Sequence, residues 1–109
     1  MNVSLYIWQR VAAAIMTPMI FLHIVVIFYA TRHGLTAADI LARTRGNIGW
    51  GAFYALFVVA ASIHAAIGIR NIIAEWSPLD DRGADIAAVI FGLVLLGLGL
   101  RAVAAVTLP

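Results

Sequence analysis

"VAAAIMTPMIFLHIVVIFYAT", residues 11–31, holds twenty-one residues without one formally charged side chain. A hydrocarbon layer about 30 Å thick is crossed by roughly 20 helical residues rising about 1.5 Å each, so this stretch is long enough to span a bilayer. Lipid offers no partner to a backbone N–H or C=O, and a spanning segment that satisfies its own backbone is a helix. Two further runs have the same character. Gly46 to Ile69 is uncharged, and Ile86 to Leu100 continues past Arg101 to Leu108. The last is the weakest by length, and Arg101 near its end is tolerated because a long side chain can snorkel to the headgroups. The predicted fold is all-α: an integral membrane chain of three transmembrane helices, at about residues 5–31, 47–76 and 84–107, forming one domain over residues 1–109.

Composition supports this. The chain is 64% hydrophobic and 11% charged, and its mean hydropathy of +1.03 lies far above that of a soluble domain of this size. The first apolar run is too long for a signal-peptide core, the residues before it hold no basic cluster and no small-residue cleavage site follows it, so the N-terminal helix is expected to stay. There are no cysteines, which excludes disulfides, thiolate-held iron–sulfur clusters and covalently attached haem. All seven basic residues are arginine and the net charge is +2, too small and too scattered for a nucleic-acid surface. Membrane lipid is the expected surrounding, and nucleic acid is not an expected partner.

The connections are short. In "RHGLTAADILARTRGN", residues 32–47, Thr36 is placed to cap a short interfacial helix over Ala37 to Arg43. In "SPLDDRGAD", residues 77–85, Pro78 and Gly83 forbid an uninterrupted helix. Arg32, Arg43, Arg45 and Arg101 fall on one side of the membrane and Arg10, Arg70 and Arg82 on the other, a positive-inside margin of one residue that does not fix orientation.

Ionisable groups at membrane depth are costly and generally face protein, water or a cofactor. With His64 at zero on a wheel of 100° per residue, Gly68 falls at about 40°, Asn71 at about −20° and Glu75 at about 20°. Phe53, Phe57 and Ala60 continue this stripe deeper into the membrane, and Arg70 stands to one side. Such a surface suits a flat macrocycle, with imidazole for axial iron ligation, glycine for close approach and aromatics against the ring. An interhelical hydrogen bond from His64 is the competing reading. Arg70 and Asn71, about one and a half turns nearer the interface, would meet haem propionates, or else serve as interfacial anchors.

On the first helix Tyr6, Arg10, Thr17 and Phe21 share a face. Arginine there can donate to a quinone carbonyl and stabilise charge on the reduced ring, while Tyr6 and Trp8 also read as an aromatic belt. His23 lies about 20 Å of rise from Arg10, and His64 about 17 Å from Glu75, so an antiparallel hairpin is expected to set the two histidines at similar depth and to permit ligation of one haem by both. His23 shares its face with Ala12, Met16, Met19 and Ile27, which equally suits contact with a partner subunit. His33, beside Gly34, reads as interfacial.

"IHAAIGIRNIIAEW", residues 63–76, resembles the second transmembrane helix of the cytochrome b membrane-anchor subunits of succinate dehydrogenase and fumarate reductase. The family motif is His-x-x-x-Gly-Ile-Arg-His with an aspartate four residues on. His64, Gly68, Ile69 and Arg70 match it, Asn71 stands where the second histidine is usual, and Glu75 stands where the acid is. "WQRVAAAIM", residues 8–16, is similar to the family's opening, with Arg10 at the arginine of the quinone pocket and Tyr6 where one anchor type has a serine. Glu75-Trp76 stands where the other anchor type has Asp-Tyr near the quinone, so features of both anchors are combined.

The resemblance covers nearly the whole chain and implies a haem-binding helical bundle. It implies haem b ligated by His64 and contacted by Gly68, Arg70 and Asn71, with His23 a further ligand candidate. A quinone site would draw on Arg10, Tyr6, Glu75 and Trp76. The implied partners are a flavoprotein subunit, an iron–sulfur subunit, and a second membrane anchor or a second copy of this chain, in a bacterial inner membrane. The N-terminus and the Glu75 to Asp85 loop would face the iron–sulfur subunit, and the chain alone would catalyse nothing. The alternatives are a cytochrome b subunit of another quinone-linked oxidoreductase and a haem-free anchor or assembly subunit.

Overall fold

The computed structural model describes residues 3–109. Four helices follow in order: α1 Val3–His33, α2 Ala37–Thr44, α3 Ile48–Trp76 and α4 Asp81–Thr107. α1, α3 and α4 are each long and apolar enough to cross a membrane. The bundle measures 49 × 22 × 22 Å, so its long axis exceeds the roughly 30 Å hydrocarbon layer and carries both ends into the headgroups.

Side-chain caps set the helix boundaries. The Thr36 hydroxyl accepts from Asp39 N at 3.1 Å and opens α2, one residue longer than expected from sequence. Asn47 opens α3 by accepting from Trp50 N at 3.1 Å. α4 begins three residues before its expected start, because the Asp80 carboxylate accepts from Gly83 N at 2.8 Å and draws Gly83 into the first turn. Pro18 lies inside α1 without ending it. The backbone donor it lacks is one that neighbouring groups in a membrane bundle can offset, and beside it the Thr17 hydroxyl donates to Ala13 O at 2.8 Å.

α3 is the central helix, packed against α1 on one side and α4 on the other. The seam of α1 against α3 runs through Gln9, Ala12, Met16, Met19, His23 and Val26, all less exposed than their neighbours. Their alternating spacing of three and four is that of knobs-into-holes packing. The expectation that the Ala12, Met16, Met19 face meets a partner subunit is therefore corrected, since α3 covers it. Ile27 alone of that set stays exposed. Toward α4 the approach depends on small residues. Ala84 is fully buried and Ala88 nearly so, a Cβ on Gly92 would stand 3.0 Å from Ala66 Cβ, and one on Gly99 would run into the Val58 side chain. Without a hydrophobic drive inside lipid, such close contact is what holds transmembrane helices together.

The loop between α1 and α3 closes one end of the bundle. The Thr44 hydroxyl donates to Val106 O at 2.6 Å, and Gly46 N donates to Thr107 O at 2.7 Å. Both carbonyls belong to the last turn of α4, which has no intrahelical donors for them. Gly46 makes its bond at φ +73, in the left-handed region where glycine carries no Cβ penalty.

Candidate functional site

Two histidines lie along the α1–α3 seam, at different levels. His64 Nδ1 stands 3.4 Å from Gln9 O, and a Cβ on Gly68 would lie 3.7 Å from Gln9 Nε2. The N-terminal part of α1 thus faces His64 and Gly68. His23 instead packs edge-on against Tyr54 and Phe57, at ring centroid distances of 6.0 and 5.7 Å. These rings stand ten and seven residues before His64 on α3, about 10–15 Å of helical rise.

The expected common depth of His23 and His64 is therefore corrected, and with it the ligation of one haem by both within a single chain. That expectation set Arg10 level with Glu75. The register instead sets Gln9 opposite His64 and Gly68, which leaves Glu75 seven to eleven residues further along α3, about 10–17 Å.

The two rings also differ chemically. A metal-bound imidazole donates its other N–H to a carbonyl or carboxylate. His64 has that acceptor in Gln9 O, which leaves Nε2 with its lone pair for iron. Among the described residues, His23 Nδ1 is the buried side-chain polar atom without a hydrogen-bond partner, so a proton there would have no acceptor. His64 fits an axial haem ligand and His23 fits one poorly. Gly68, one turn from His64, meets nothing but the end of the Gln9 side chain, so that wall is soft enough to move.

Arg70 lies about 120° from His64 around α3, on the side of α4. Its Nε donates to Asp85 Oδ1 at 2.8 Å, and the pair closes the end of an apolar groove of about 680 Å³ lined by Ser62, Ile63, Ala66, Gly92 and Leu93 among others. The structure thus brings His64 and Gly68 together and separates Arg70 from them; any contact of Arg70 with a haem carboxylate would fall to its Nη atoms. Asn71 is half-buried on the His64 side, and Glu75 and Trp76 are exposed at the end of α3.

Tyr6, Arg10, Thr17 and Phe21 share the outward face of α1, all exposed. The Arg10 guanidinium carbon lies 5.4 Å from the Tyr6 ring centroid, so the side chain runs back toward the N-terminus over the ring, as a cation near the interface is expected to do. No hydrogen bond, ion pair or ring contact joins Arg10 to Glu75 or Trp76 among the described residues, and the four expected quinone residues fall at the start of α1 and the end of α3. Sequence reading missed Gln9 and Asp85 as site residues. A polar side chain repeating in the α1 seam was the available signal for Gln9, whereas nothing local marked Asp85 as the partner of Arg70.

Three helices long and apolar enough to cross a membrane, packed side by side, define a membrane-spanning helical bundle. The family described as succinate dehydrogenase/fumarate reductase transmembrane subunit matches residues 1–100, and the chain belongs to it. Comparison with curated proteins gave no match, and comparison with solved structures gave none.

Proposed function

We propose that the chain is a haem b-containing membrane anchor that docks the flavoprotein and iron–sulfur subunits of a succinate:quinone oxidoreductase and helps form its quinone site. The observation that carries the haem assignment is the direction of His64 Nδ1 toward Gln9 O, which reserves Nε2 for iron. Haem b, when bound, supplies a one-electron carrier whose potential the protein tunes through its ligand and surroundings. Because His23 lies at another level, a second histidine to hold the haem would come from a second anchor or a second copy of this chain.

Iron–sulfur clusters that bring electrons from succinate to the membrane would be held by the partner, as this chain has no cysteine. Quinone takes up two electrons and two protons to become quinol. Arg10 on the outward face of α1 donates to its carbonyl oxygen, with Tyr6 holding the guanidinium in place. Glu75, at the aqueous end of α3, serves proton delivery, and Trp76, 85% exposed, presents a large apolar surface to the docking subunit. The complex resides in a bacterial inner membrane.

The test is the reduced-minus-oxidised spectrum of the purified complex. His64→Ala is expected to abolish the b-type bands while His23→Ala retains them; a normal bis-His spectrum in His64→Ala refutes the ligand assignment. Arg10→Ala is expected to impair quinone reduction and to spare succinate oxidation by an artificial acceptor, and equal loss of both would make Arg10 an assembly residue.

A further inference from the structure

The two ends of the bundle differ in charge. Where α1 and α4 finish and α3 begins, Arg32, Arg43, Arg45 and Arg101 face a single acid, Asp39, for a net charge of +3. At the other end Arg10, Arg70 and Arg82 meet Glu75, Asp80, Asp81 and Asp85, for a net charge of −1, and the two ends together give the +2 of the chain. The ion pair among the described residues, Arg70 to Asp85, belongs to the second end. None of the four arginines at the first end has a carboxylate within salt-bridge distance among the described residues.

Arg43 is held within the fold. Its Nη2 donates to Gly34 O at 3.0 Å, and its guanidinium carbon lies 5.5 Å from the Tyr29 ring centroid. Arg32, Arg45 and Arg101 are exposed. A guanidinium at the edge of the hydrocarbon with no carboxylate favours a phosphate, whose oxygens match its planar fork. An apolar slot of about 570 Å³ opens between the start of α3 and the end of α4, lined by Gly46, the residue that follows Arg45, and by Ile48, Ala52, Ala55 and Leu108. The bonds from Thr44 and Gly46 to the last carbonyls of α4 hold this mouth in shape. The larger groove at Arg70 lacks this combination, since Asp85 already neutralises its cation.

A phosphodiester that carries its own acyl chains satisfies cation and slot together, and free phosphate satisfies the cation alone. We propose that this end of the bundle is a binding site for an anionic phospholipid, with the headgroup phosphate on Arg45, Arg32 and Arg101 reinforcing the local positive field, and an acyl chain in the slot. The site is independent of haem and quinone.

The experiment measures retained lipid by native mass spectrometry on the full chain, purified in detergent and offered phosphatidylglycerol and phosphatidylcholine in equal amounts. Phosphatidylglycerol is expected to be retained preferentially. Each of Arg45→Ala and Arg101→Ala is expected to lower that preference about fivefold, and the two together about 25-fold. Arg82→Ala, at the opposite end, leaves it unchanged. Ala52→Phe, which fills the slot, lowers retention of both lipids. An unchanged preference in the double variant, or equal retention of the two lipids by the wild type, overturns the proposal. Displacement of phosphatidylglycerol by equimolar inorganic phosphate overturns it as well, because the site would then be one for a free anion. Circular dichroism and monodispersity of each variant separate loss of lipid from loss of fold.

Discussion

Removal of the Arg70–Asp85 contact tests how α3 and α4 are tied together and what Arg70 does. The Nε to Oδ1 distance is 2.8 Å, with the arginine side chain 15% exposed and the aspartate 57% exposed. A fully exposed pair contributes about 0–1 kcal/mol, and breaking a fully buried one costs about 3–5 kcal/mol. With one partner mostly covered and the other more than half in solvent, a coupling of about 1 kcal/mol is expected, near the top of the exposed range. Asp85→Ala should cost somewhat more, about 1–2 kcal/mol, because it leaves a mostly covered guanidinium without its acceptor. The double-mutant cycle of Arg70→Ala and Asp85→Ala, followed by tryptophan fluorescence as mild detergent is replaced by denaturing detergent, isolates the pairwise part. A coupling within about 0.3 kcal/mol of zero would refute the reasoning that partial covering of Arg70 raises this pair to the top of the exposed range. The haem spectrum of the same variants adds a second readout. Both should retain b-type bands if Arg70 acts on α4 alone, and selective loss in Arg70→Ala would assign its Nη atoms to the cofactor.

Gly99→Leu should force α3 and α4 apart at Val58 and cost about 1–3 kcal/mol by overpacking, read as a lower midpoint in the same detergent titration; an unchanged midpoint would mean the helices are not in contact there. Thr44→Val removes the donor to Val106 O and is expected to destabilise by about 1 kcal/mol, with faster amide exchange at the end of α4 by hydrogen-exchange mass spectrometry. His23→Leu replaces a buried nitrogen that has no partner and is expected to be neutral or to stabilise by up to about 1 kcal/mol. A large loss of stability or of haem in that variant would give His23 a role it does not have here.

The three spans and the short interfacial helix were legible from the chain alone. Lipid compels each crossing segment to satisfy its own backbone, so the length of an uncharged run fixes a helix and Thr36 marks where the next begins. The imidazole–glycine stripe of His64 and Gly68 was legible too, because residues four apart on one helix share a face whatever surrounds them. Relations between helices were not. Helices apolar on every side carry little periodic signal of which face turns inward, and that choice fell to the fit of small residues, Ala84, Ala88, Gly92 and Gly99, against α3. The same packing set the register that separates His23 from His64 and Arg10 from Glu75, and it turned Arg70 toward Asp85. Sequence determined what each helix carries and how far it reaches; only tertiary contact decided which of those groups meet, because close packing depends on side-chain shape across the gap and not on the order of residues along one strand of chain.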